Sequence, residues 1–178
     1  MNKFSLCATL CVILRACAQQ PYYGDLNYLA KFPANLSEVS GMVQLQPESV
    51  WVIEDNGNKD VLYKVSSSGK IIKKLKVKNA KNNDWEDLTQ DTKGNVYIGD
   101  FGNNANERKN LVIYKVPNPE TEPGDKIDAE KIRFYYPDQM EFPPKKEKRF
   151  FDAEGLIHWK DHLYVFTKDR SRPSQGKT

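Results

Sequence analysis

The chain is poor in the residues on which most enzyme chemistry draws. Its 178 residues include three cysteines, Cys7, Cys11 and Cys17, and two histidines, His158 and His162. Beyond position 17 there is no thiol to serve as a nucleophile, a disulfide partner or a metal ligand. A Gly-x-Ser-x-Gly elbow is also missing, which excludes the commonest serine-hydrolase arrangement. Charge of one sign is lacking too: 27 Lys and Arg face 24 acids. Setting aside Lys3 and Arg15 of the leader described below leaves +1, with no electrostatic footprint for nucleic acid. The densest basic run, Lys145-Lys146-Glu147-Lys148-Arg149 after Pro143-Pro144, reads as a solvated loop. Long apolar runs are absent except for Phe4 to Leu14, which is too short to span a bilayer. At 39% hydrophobic the chain is neither disordered nor a multi-span membrane protein, and it is long enough for one domain with a core.

The short apolar run has a purpose of its own. Lys3 precedes it and the small residues Ala16 and Ala18 follow, which is the layout of a secretory signal. A buried N-terminal helix is the competing reading, but the run lacks amphipathic spacing and stops at Gln19-Gln20-Pro21. Two cleavages fit. Cutting after Ala18 leaves a cysteine-free secreted chain. Cutting before Cys17 leaves one cysteine at the new N-terminus, as in a bacterial lipoprotein, with Leu14 and Ala16 matching and Arg15 departing from the usual small or apolar residue. The second is preferred, with Cys17 as the lipid attachment site. Residues 1–18 span the signal peptide or lipoprotein leader under either cleavage, and the protein is expected to be exported to the periplasm or cell envelope, lipid-anchored, or else secreted. Any membrane contact is through that anchor.

After the leader the chain repeats itself. Glu38-Val39-Ser40-Gly41-Met42-Val43 is followed by Val50 to Asp55, Asp84-Trp85-Glu86-Asp87-Leu88-Thr89 by Val96 to Asp100, and Asp152-Ala153-Glu154-Gly155-Leu156-Ile157 by Leu163 to Thr167. Each unit opens on an acid, runs through a short apolar stretch, turns on polar residues and enters an apolar strand. The first two units continue into a third strand (Val61 to Val65, Leu111 to Val116) and a fourth (Ile71 to Val77, Lys131 to Tyr136). Unit starts lie 46 and then 68 residues apart, the excess falling in two proline-containing inserts, Pro117 to Asp128 and Pro137 to Arg149. Four short antiparallel strands per repeat predict an all-β fold, a β-propeller, with about two and a half blades in this chain. A β-sandwich is the runner-up, but it gives no reason for acids to recur at strand starts. Residues 36–178 form the blades. Residues 19–35 precede them, with Leu29-Ala30-Lys31-Phe32 as a candidate outer strand awaiting a last blade, so the expectation is the front part of a longer propeller.

The motifs Asp84 to Thr89, Gly99-Asp100-Phe101-Gly102-Asn103-Asn104, Ile113-Tyr114 and Asp152 to Leu156 resemble uncharacterised bacterial envelope propellers. These belong to the wide group that includes NHL-repeat, phytase-like and gluconolactonase-like propellers. The resemblance covers about residues 29 to 170 and implies fold more than activity, because that group mixes enzymes with binding proteins. Some of its members hold calcium or another divalent ion at the propeller axis, which implies a candidate ion here.

Antiparallel pairing sets the start of each first strand beside the end of the second, so the acids gather at one rim. Glu38, Asp84, Glu86, Asp87, Asp152 and Glu154 come from first strands; Glu54, Asp55, Asp100 and Asp169 come from second strands and the loops after them. Alternation turns Asp84 and Glu86 the same way and Asp87 the other. Glu38, Glu86, Asp100 and Glu154 are the candidate metal ligands, with Asn carbonyls such as Asn56, Asn58, Asn103 and Asn104 nearby. An oxygen-only set suits calcium or magnesium. The alternative is that these acids bond backbone amides and lock the blades. Asp55 to Asp60 tempts a helix-loop-helix calcium loop but lacks Gly at its sixth position and Glu at its twelfth, so Asn56-Gly57 reads as a turn. His158 and His162 flank a turn at the opposite end. Arg170 and Arg172 read as surface-loop residues, and Trp51, Trp85 and Trp159 as packing. No organic cofactor is expected and no catalytic residue can be named. The expected function is a binding or scaffold module for a small ligand or envelope protein, calcium-stabilised. The alternative is a metal-dependent hydrolase of phosphate esters or lactones that uses rim carboxylates.

Overall fold

A computed structural model describes residues 27–171. The leader, Cys17 and Arg172 lie outside the described residues. Within them the protein is all-β, and the one helical element is a 3-10 turn at Lys146–Lys148. No helix among the described residues is long and apolar enough to cross a membrane.

Three sheets follow one another along the chain. The first runs β1 (Val39–Gln46), β2 (Ser49–Glu54), β3 (Val61–Ser66) and β4 (Ile71–Val77), each antiparallel to the last. The second begins with β5 (Trp85–Gln90), β6 (Val96–Asp100) and β7 (Val112–Val116). The chain then crosses back. β8 (Lys126–Ile127) pairs parallel with β4 as a fifth strand of the first sheet, and β9 (Glu130–Arg133) returns to complete the second against β7. The insert expected between Pro117 and Asp128 is therefore partly a strand, and it belongs to the neighbouring sheet. The third sheet is the hairpin β10 (Asp152–Trp159) and β11 (His162–Lys168).

Residue patterns account for these positions. In β2, Trp51, Val52 and Ile53 are consecutive and fully buried, as a strand covered on both faces requires. In β4, Leu75 and Val77 point inward while Lys74 and Lys76 are exposed. The turn into β6 is tied by Asp91, whose carboxylate accepts from Lys93 N, Asn95 N, Asn95 Nδ2 and Tyr97 Oη. Asn56-Gly57 is the expected turn, with Gly57 at φ +82°. The segment Leu29 to Phe32 is not a strand: it runs against the β3–β4 turn, with the Lys31 carbonyl beside Gly69, and has no ladder partner.

The first strands of the three sheets lie side by side. Ser40 Oγ donates to the Trp85 carbonyl (2.7 Å), joining β1 to β5. Asp87 Oδ2 accepts from Leu156 N (2.7 Å) and Thr89 Oγ1 from His158 N (3.0 Å), joining β5 to β10. Trp51 and Ile53 pack with Leu88, Ile98 and Val112 between the first two sheets; Tyr97, Phe101 and Ile113 pack with Ala153 and Leu156 between the second and third. Every first strand carries a register irregularity at the same place. It falls between Val39 and Gly41, Trp85 and Asp87, and Ala153 and Gly155, leaving Ser40, Glu86 and Glu154 as the extra residues.

Candidate functional site

The acids do converge at the end where β1, β5 and β10 begin. Asp55 follows β2, Asp84 precedes β5 and Glu86 is the extra residue of its bulge. One carboxylate oxygen from each lies within 4.8 Å of the other two, and all three side chains are half-buried. Two oxygens on opposite sides of a calcium ion stand about 4.8 Å apart, so the spacing and the oxygen-only chemistry both fit a hard cation.

The backbone holds these groups in place. Asp55 N donates to the Glu38 carbonyl (2.8 Å), and the Asp55 carbonyl accepts from the buried Asn82 Nδ2 (2.9 Å). Asp84 N donates to Asp100 Oδ1 (3.0 Å), while the Asp84 carbonyl accepts from Phe101 N and Gly102 N. Gly102 forms the floor, since a Cβ there would overlap Glu86 Oε1 and Asp84 Oδ2.

Burial and neighbouring charge raise the proton affinity of Glu86 and Asp84. Burial is the main cause at Glu86, followed by the charges of Glu154, Asp55, Asp84 and Asp152, and together they push its pKa from 4.5 to about 8. At Asp84, burial and then Asp55 push the value from 3.8 to about 6, with Arg108 opposing. Burial also raises Asp87, against the hydrogen bonds it accepts from Leu156 and Leu88. A cation would relieve this repulsion.

Of the four residues expected as ligands, Glu86 alone joins the cluster. Asp100 is fully buried and paired with Arg108 Nη2 (2.9 Å), with Asn83 Nδ2 at 2.8 Å. Glu154 meets Arg170 Nη2 (2.8 Å) and Lys168 Nζ (3.6 Å). Glu38 is exposed and accepts from Asn58 Nδ2 (2.8 Å). Two of the four expected Asn carbonyls are engaged: Asn103 Oδ1 accepts from Arg108 N, and Asn104 Oδ1 from Arg170 Nη2. Asp55 and Asp84, expected in the ring but not in the ligand set, are the acids that lie with Glu86.

Arg170 differs from its expected surface-loop role. Its Nε reaches the fully buried Asp152 (2.6 Å), which also accepts from Asn103 N (2.6 Å). Arg108 thus pairs with Asp100 of the second sheet and Arg170 with Asp152 and Glu154 of the third, and the Asp55–Asp84–Glu86 group lies beside them. Trp85 is fully buried and donates through Nε1 to the Lys81 carbonyl, a packing role. His158 stacks on Tyr97 at the far end, with ring centroids 5.5 Å apart. The chain matches no protein-family model and no curated protein.

Proposed function

We propose that the three sheets are successive blades of an exported β-propeller, and that Asp55, Asp84 and Glu86 hold a divalent cation, calcium by preference, at its rim. In this reading the protein is a binding or scaffold module, anchored through Cys17, whose ion-bearing rim takes a small ligand or an envelope partner. One observation supports it above the others: β1, β5 and β10 lie side by side with the acidic cluster at the end where they begin. The exported location rests on the leader sequence.

Thermal unfolding in about 1 mM calcium and in chelator tests the ion. A native-state ligand at about 100 times its dissociation constant stabilises by about 2.7 kcal/mol, which raises Tm by about 5–10 °C in a chain of this size. Equal melting temperatures in the two buffers would remove the ion from the proposal.

A hydrolase of phosphate esters or lactones is the second reading. It is favoured by the half-buried carboxylates of Asp55, Asp84 and Glu86, close enough together for one to act on a substrate beside an ion held by the others. Calcium-dependent turnover of a nitrophenyl phosphate or a simple lactone, lost in Glu86→Gln, would select it; buffer-level rates would leave the binding module.

A further inference from the structure

We propose that Asn56 is a site of spontaneous covalent modification, losing ammonia to become isoaspartate or aspartate, and that the carboxylate so gained tightens the cation cluster beside it. The second half rests on the cation reading above; the first does not.

Asn56-Gly57 is the sole Asn-Gly pair of the sequence. It sits at the centre of a turn in which Asn58 N donates to the Asp55 carbonyl (3.3 Å). Gly57 has φ +82° and Asn56 stays out of the positive-φ region, as in a type II turn. Both residues are exposed. The Gly57 amide is the nucleophile of the reaction, and among the described residues it donates to no acceptor. Asn56 bonds through its backbone, N to Asp55 Oδ1 (2.5 Å) and O from Asn58 Nδ2 (3.5 Å), which leaves its carboxamide free among the described residues. A Cβ at position 57 would meet nothing within 4 Å, so no neighbouring segment blocks ring closure. Other asparagines are held. Asn58 Nδ2 donates to Glu38 Oε2, Asn79 brackets Ala129 with both carboxamide atoms, and Asn104 Oδ1 accepts from Arg170. Each of these also precedes a residue whose side chain hinders attack by its amide.

The Gly57 nitrogen attacks Asn56 Cγ. Its proton leaves with the carboxamide nitrogen as ammonia, and a succinimide remains. Water then opens that ring at one carbonyl or the other. Opening at Cγ gives aspartate; opening at the main-chain carbonyl gives isoaspartate, whose backbone runs on through Cβ and Cγ. Either product exchanges a neutral amide for a carboxylate, with no change of oxidation state. The new charge falls next in the chain to Asp55, whose Oδ1 the Asn56 N–H already holds. Attraction across that short distance, screened by salt, should tighten calcium binding about 2–5-fold.

Peptide mapping by mass spectrometry of the purified chain, aged in mildly alkaline buffer, tests the modification. The expected result is a gain of about 1 Da at position 56 ahead of every other asparagine, with the isoaspartyl form in excess. Asn56→Gln, whose longer side chain closes the ring far more slowly, should show no such gain there. A position 56 that stays intact in the folded chain would overturn the modification, whether or not urea releases the reaction. Calcium titration calorimetry of the fresh parent, the aged parent and Asn56→Asp tests the tuning. The aged chain and the variant should both bind more tightly than the fresh parent. Equal or weaker binding in Asn56→Asp would overturn the tuning and leave the modification standing. A fresh parent that binds no calcium would remove the cation reading and the tuning with it, whereas the mass at position 56 decides the modification by itself.

Discussion

Replacing Glu86 by Gln removes one charge from the cluster and keeps the shape of the side chain. The carboxyl of Glu86 binds its proton more tightly in the fold, with a pKa of about 8, than in the unfolded chain, where 4.5 applies. Between those values the native state holds more protons than the unfolded one, so stability falls as pH rises from about 4.5 to about 8 and then levels off. At 1.36 kcal/mol per pH unit the full shift corresponds to about 5 kcal/mol, and solvent reaching the half-buried cluster reduces the expected cost to about 2–3 kcal/mol. Asp84, raised from 3.8 to about 6, contributes with the same sign in a lower window. In chelator at about pH 8.5, Glu86→Gln should therefore be more stable than the parent by about 2 kcal/mol, a Tm rise of about 4–8 °C. Near pH 5 the two should agree within about 1 kcal/mol, since the parent residue is then protonated in the fold. Calcium should reverse the order, because only the parent keeps the carboxylate that binds it. Urea unfolding at the two pH values, with chelator and with calcium, reads all four cases. A variant less stable than the parent at the higher pH in chelator would refute the reasoning, by showing that the ionised carboxylate makes contacts the fold needs.

Two further substitutions separate the parts of this end of the molecule. Gly102→Ala places a methyl group against the Glu86 and Asp84 carboxylates; it should cost about 1–3 kcal/mol and abolish calcium binding in a titration calorimeter, and retained binding would move the ion elsewhere. Arg170→Met leaves the buried Asp152 without its guanidinium and should cost about 3 kcal/mol in urea unfolding; a loss below about 1 kcal/mol would mean that backbone donors such as Asn103 N suffice.

The gathering of acids at one end is legible in the sequence, because antiparallel pairing alone puts the start of β5, with Asp84 and Glu86, beside Asp100, and the start of β10, with Asp152 and Glu154, at the end of β11 next to Asp169. Which acids stay together is decided by Arg108 and Arg170, reaching back from loops whose paths no periodicity encodes. A signal is nonetheless present. The second and third units carry an arginine soon after their second strand, which pairs with Asp100 and with Asp152, whereas the first runs from Asp55 to Asp60 with none, and Asp55 joins Asp84 and Glu86 in the cluster. The bulges are less accessible: Glu86 and Glu154 share position and residue type but Ser40 does not, and an acid two residues into a strand does not by itself mark an extra residue. β8 is the least accessible, since two residues are too few to show alternation and their parallel partner lies 50 residues earlier.

That distant pairing fixes the order in which the chain can finish folding. β1 to β4 could form as a local meander, but their sheet has an open edge at β4 until Lys126 and Ile127 arrive from beyond β7. On the way the same segment brings Glu120 to Trp51 Nε1 (2.7 Å) and Lys64 Nζ (2.5 Å), so it clasps the first sheet at two points. Closing a loop of that length precedes any reward from the contacts it makes. The first two sheets are thereby tied to each other, and a nascent chain covers the end of β4 at Lys76 and Val77 only once the connection beyond β7 has been made.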